Sequence, residues 1–155
     1  MLNDSAPPQQ VELLSFQVAD HDYAVDVSHV REIRSWTKPT PIPHAPAFVE
    51  GVINLRGSVL SIVDLATRLG IKGQSPVRNP RSVVVFVNTK DETVGLRVDA
   101  VSDILAFPSS ELSQPPEGSS TPEANYIAAL AIVEEDILRV LDLEALLRPA
   151  VAEEA

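Results

Sequence analysis

The sequence predicts an all-β protein, mainly antiparallel, folded as two small barrels that share an interface. Three observations predict it: short Val/Ile-rich runs alternate with polar turns, the thirteen prolines gather between those runs, and the pattern of the first half recurs in the second. Proline has no N–H to give a ladder, so the clusters at 7–8, 39–46, 76–80 and 108–122 mark loops and edges.

The first strand is 12–18, where Leu14, Phe16 and Val18 alternate with polar or small neighbours, and the turn Ala19-Asp20-His21-Asp22 leads to a second at 23–27. Ser28 caps a short helix over 29–33. Beyond the proline cluster, 52–55 and 59–63 form a hairpin around Arg56-Gly57-Ser58, with Gly57 free to take the positive φ of a tight turn. Asp64 caps a helix over 65–69, which Gly70 closes. Val/Ile content marks strands at 82–88 and 94–98, joined by the polar turn 89–92, and at 104–107, 127–133 and 137–141. Asp142 caps a last helix over 143–147, ahead of Pro149.

Sliding the chain by 71 positions lays 23–33 over 94–104 with five apolar columns: Tyr23/Val94, Val25/Leu96, Val27/Val98, Val30/Val101 and Ile33/Ile104. A cap residue recurs at Ser28/Asp99 and an acid at Glu32/Asp103, and a slide of 78 lays 59–65 over 137–143. Two signatures in the same order fit two copies of one β unit, the second with a longer loop. So small a unit leaves edges and an apolar face for its twin to cover. The first barrel is expected mainly in 11–75 and the second mainly in 80–148, with strand exchange between them allowed, a flexible lead at 1–10 and a tail at 149–155.

The 155 residues suffice for one domain or two small subdomains. A formal charge of −10 suits nucleic acid poorly, and the absence of cysteine removes disulfides, thiolate metal sites and thiol nucleophiles. Apolar runs such as 83–87 fall far below the ~18 residues that cross a bilayer, and 1–10 lacks the features of a signal peptide. A cytoplasmic protein with no direct membrane insertion is expected. His21, His29 and His44 match no metal-pair spacing, and no nucleophile elbow, Walker loop or dinucleotide fingerprint occurs. Helix capping accounts for Asp64 and Asp142, which are equivalent in the repeat. No catalytic residue, cofactor or metal is expected. The charge is uneven: 1–90 holds 9 basic and 8 acidic residues, a net +1, whereas 91–155 holds 3 and 14, a net −11 that can steer a basic partner surface.

The most distinctive stretch is 46–69. Arg56 sits at a turn between apolar strands, and, held by Glu32, its planar fork can order the rim of a contact surface. The motifs V-x-E-I (30–33), P-x-F-x-x-G-x-x-N-L-R-G (46–57), I-V-D-L (62–65) and V-G-L-x-V-D-x-V-S-D-I (94–104) together resemble the CheW family of bacterial chemotaxis coupling proteins over about residues 11–148.

That resemblance implies two intertwined five-stranded SH3-like β-barrel subdomains with a few short helices and no enzymatic activity. It implies a stand-alone adaptor that binds the regulatory domain of the histidine kinase CheA and the cytoplasmic tip of methyl-accepting chemoreceptors, recruited to membrane-associated receptor arrays. By motif position, Val30, Glu32, Gly51 and Arg56 match the receptor-coupling part, with Asn54, Leu55 and Val101 as neighbours, and Ile33 matches the kinase-facing surface. Arg56→Asp or Gly51→Asp is expected to weaken receptor control of the kinase with the fold intact. The alternatives are an adaptor for another motility or kinase pathway, a small histidine/acid hydrolase or metalloenzyme, and a ligand-binding barrel. The segment 109–125, proline-rich at its centre, is expected to be a mobile loop with no assigned contact.

Overall fold

A computed structural model describes residues 10–71, 82–90, 92–115 and 122–152. Its strands are β1 (Gln10–Val18), β2 (His21–Asp26), β3 (Val30–Ser35), β4 (Val49–Leu55), β5 (Ser58–Asp64), β6 (Val83–Asn88), β7 (Thr93–Val98), β8 (Ala100–Pro108), β9 (Ile127–Val133) and β10 (Asp136–Leu141). Helix α1 (Leu65–Leu69) follows β5, and α2 (Leu143–Ala152) follows β10. Two five-stranded sheets result, ordered β8-β1-β2-β10-β9 and β3-β6-β7-β5-β4. They form two SH3-like barrels, called here the β1 barrel and the β6 barrel. The two orders coincide once β1 to β5 are matched with β6 to β10. Each barrel therefore joins two strands of one copy to three of the other, and the division into 11–75 and 80–148 follows the copies rather than the barrels.

The alternation of strand side chains feeds separate cores. Leu14, Phe16 and Val18 of β1 meet Val85 and Val87 of β6, Leu96 of β7 and Leu146 of α2 in a core shared by both sheets. Leu13 turns the other way, to Ala24, Ala131, Leu138 and Val140. In the β6 barrel, Leu55, Leu60, Ile62, Val84 and Phe86 form the third cluster.

Several boundaries differ from expectation. The helix over 29–33 is instead a 3₁₀ turn at Val27–His29, where Ser28 N donates to Asp26 Oδ1 at 2.9 Å, followed by β3. The cause is a bulge: pairing passes from Val30/Val87 to Glu32/Phe86 and skips Arg31. Ser102 is skipped likewise in β8. One added residue turns a period of two into the i, i+3 spacing of Val30/Ile33 and Val101/Ile104, which reads as helix. β4 begins at Val49 and β8 spans Ala100–Pro108, both longer than expected. α2 runs past position 149, since the fixed φ of proline is itself helical. Parts of 109–125 are docked: Ser109–Glu111 and Pro122–Tyr126 are 3₁₀ turns, and Ser113 bridges Leu130. The centre of that segment, most of the lead, the end of the tail and the prolines at 76 and 80 lie outside the described residues.

Candidate docking site

The β4–β5 hairpin closes through Leu55 and Ser58, leaving Arg56 (φ 51°) and Gly57 (φ 88°) as the two turn residues. Positive φ at both is the primed geometry that matches strand twist. Asn54 Oδ1 accepts from Gly57 N at 2.9 Å and fastens the turn from the strand side. The turn holds Arg56 out in solvent, its side chain 60% exposed, where Nη2 donates to Glu32 Oε2 at 2.5 Å. Arg34 adds a second cation, with Nη1 3.6 Å from Glu32 Oε1.

β3 and β4 are the two edges of their sheet. Between them lies a groove of about 470 Å³, with Ile33, Arg34, Ser35 and Thr37 on one bank, Ile53, Asn54 and Leu55 on the other, and Ile62, Val84 and Phe86 as its floor. The Glu32–Arg56 pair reaches from β3 to the turn that ends β4. Register separates the neighbours on β3. Glu32 lies opposite Phe86 and Arg34 opposite Val84, both in the β6-barrel core, whereas Ile33 lies opposite Val85 of the shared core. Directly opposed residues share a face, so Glu32 and Ile33 project from opposite faces of one strand. Ile33 is 43% exposed.

The structure thus brings Glu32, Asn54, Leu55 and Arg56 to one groove and its ends, with Leu55 buried as part of the core, and Ile33 stands on the β3 bank with its side chain turned by register to the other face of the strand. Val30 and Val101 are elsewhere: each is half-buried against the shared core from its own sheet. Gly51 presents no surface. It is buried at φ 150°, and a Cβ there would meet Thr40 O at 2.2 Å, because Thr40 and Val52 form a bridge across it. The expectation that Gly51→Asp leaves the fold intact is therefore corrected. Two contributors were missed. Arg34 follows Glu32 by two residues and is visible once 30–35 is read as strand. Val59, opposite Asn54, is 68% exposed, an apolar residue on the outer face of the hairpin.

Among the described residues no group of three or more histidine, aspartate or glutamate side chains could hold a metal ion. The family described as CheW-like domain matches residues 12–151 of the chain. The probable chemotaxis protein CheW of Rhizobium etli is 41% identical over 144 residues, covering 93% of this chain and 92% of that protein. The chemotaxis protein CheW of Rhizobium meliloti is 42% identical over 134 residues, 86% of this chain and 85% of that one. The crystal structure of the scaffolding protein TtCheW from Thermoanaerobacter tengcongensis superposes with a TM-score of 0.81 at 26% identity, over 89% of this chain and 92% of that chain.

Proposed function

The chain belongs to the CheW-like domain family, and from that premise we propose that it holds the regulatory domain of a CheA histidine kinase and the cytoplasmic tips of chemoreceptors in one assembly. It is a non-enzymatic scaffold of bacterial chemotaxis. No described helix is long and apolar enough to cross a membrane, and in this reading the receptor tips recruit the cytoplasmic chain to their arrays. The receptor tip meets the groove and its Glu32–Arg56 end, and the kinase meets the opposite face of β3 at Ile33.

The observation that carries this reading is Arg56. A non-glycine residue at φ 51° breaks a local rule, and with the Arg56 side chain 60% exposed its pair with Glu32 is too open to solvent to repay the strain. Glu134, at φ 56° in the equivalent turn of the repeat, shares this geometry, so what sets Arg56 apart is its place: exposed at the end of the groove, with Glu32 of the facing edge as its partner. In an array reconstituted from receptor, kinase and this chain, Arg56→Asp is expected to leave kinase autophosphorylation on its own unchanged and to reduce its response to receptor by tenfold or more, on the order of a hot-spot loss. A folded Arg56→Asp chain that couples like the wild type refutes the assignment.

A further inference from the structure

Glu50 is the extra residue of a bulge in β4, since pairing passes from Val49/Val63 to Gly51/Ile62. Bulges re-aim side chains, and this one points Glu50 inward, where Oε2 accepts from Arg97 Nη1 at 2.8 Å. Its other oxygen accepts from Trp36 Nε1 at 3.0 Å, and the Arg97 guanidinium lies 4.1 Å from the centre of the Trp36 ring. The carboxylate and the guanidinium are 8% and 5% exposed. A buried ion pair gives little net stability over apolar residues of the same size, so stability alone is a poor reason for it. The β1 barrel has no counterpart: the repeat sets Asp26 in the column of Arg97, and the equivalent bulge in β9 falls at Ala128. Asp26 caps the 3₁₀ turn instead. Among the described residues the cluster belongs only to the barrel that carries the groove.

Trp36 opens the strap 36–48 that leads from β3 to β4. Trp36 and Lys38 line a cavity of about 530 Å³ over Glu50 and Arg97, whereas Ser35 and Thr37 line the groove. Alternate residues of one extended segment thus face its two sides. Further along, Thr40 and Val52 exchange N–H···O bonds, both 2.9 Å. We infer that Arg97 and Glu50 are positioning residues: by clamping Trp36 they set the strap, and with it the Ser35–Thr37 bank against which a docked partner fits. This role rests on the receptor reading of the groove, but the clamp itself can be judged without a partner.

Trp36 is the chain's only tryptophan, so its emission reports the clamp directly. Arg97→Lys keeps the charge and loses the planar fork and its stacking. In the full-length variant, acrylamide quenching of Trp36 should rise about twofold, amide exchange at Thr40 and Val52 should speed about tenfold, and exchange at Val85 and Leu96 should match the wild type, the pattern of local opening. Affinity for a receptor tip should fall about fivefold, the modest effect of displacing one bank of an interface without truncating its hot spot. A loosened strap with wild-type affinity, or weakened affinity with Trp36 unchanged, overturns the proposal. Should Arg97→Lys fail to fold, Trp36→Phe, which keeps a ring and drops the bond to Glu50, is read by exchange and affinity with the same expectations. Failure of both to fold makes the cluster a fold determinant alone and also overturns it. A wild-type chain that does not bind the tip refutes the receptor reading, whereas wild-type quenching and exchange in Arg97→Lys refute the clamp.

Discussion

Arg56 carries a local cost that its contacts do not return. The left-handed region costs a non-glycine residue roughly 1–2 kcal/mol, and an exposed ion pair contributes about 0–1 kcal/mol. Asparagine suits the first central position of a primed turn, so Arg56→Asn should unfold in urea within about 1 kcal/mol of the wild type, on the stable side if anything, while receptor coupling drops. A stability loss above about 2 kcal/mol would make Arg56 a structural residue. Glu50 is the reverse case. Glu50→Ala strands Arg97 in a buried site and should cost about 3–5 kcal/mol in urea unfolding. Gly51 resembles neither, because its space is already filled by Thr40. Gly51→Ala should lose about 2 kcal/mol or more through overpacking and a strained φ, so any loss of coupling in that variant follows from the fold.

The elements that follow strict rules were legible in the sequence. Helix α1 ends with Gly70 at φ 74°, where Gly70 N donates to Thr67 O at 3.0 Å and Ile71 N to Ala66 O at 3.1 Å, a Schellman closure. Gly70→Ala should cost about 1 kcal/mol, read as a fall in thermal midpoint of a few degrees. At α2, Asp142 Oδ1 accepts from Ala145 N at 3.2 Å, as its sequence position suggests. Asp64, in the equivalent place, accepts from the Thr67 hydroxyl at 3.0 Å and makes no side-chain bond to the backbone of its helix. What was not legible comes from bulges. Arg31 shifts the phase of β3 and disguises a strand as a helix, and Glu50 shifts β4 and turns a charge inward. The Glu32–Arg56 pair could be anticipated because both residues stand in recognisable motifs, V-x-E-I and N-L-R-G, although 24 positions separate them. The Trp36–Glu50–Arg97 cluster could not, since only the bulge at Glu50 makes its members face one another.

For the whole molecule, strand exchange means that neither barrel is contained in one half of the chain. The β6 barrel draws its central strands β6 and β7 from the second copy, so a fragment ending at residue 75 should lack cooperative folding by circular dichroism and amide dispersion. Arg68 adds a tie between the copies: Nε donates to Leu146 O at 2.7 Å, and the guanidinium lies 4.7 Å from the Phe48 ring centre and 4.4 Å from that of Tyr126. A scaffold gains from this construction, because surfaces on one strand keep a fixed relation when each is occupied. The decisive measurement is calorimetric titration of the wild type, Arg56→Asn and Ile33→Ser with a receptor tip and a CheA regulatory domain, separately and together. The wild type should bind both at once, Arg56→Asn should lose only the receptor, and Ile33→Ser only the kinase. Competition between the two partners for the wild-type chain, or loss of both with either substitution, would contradict the account.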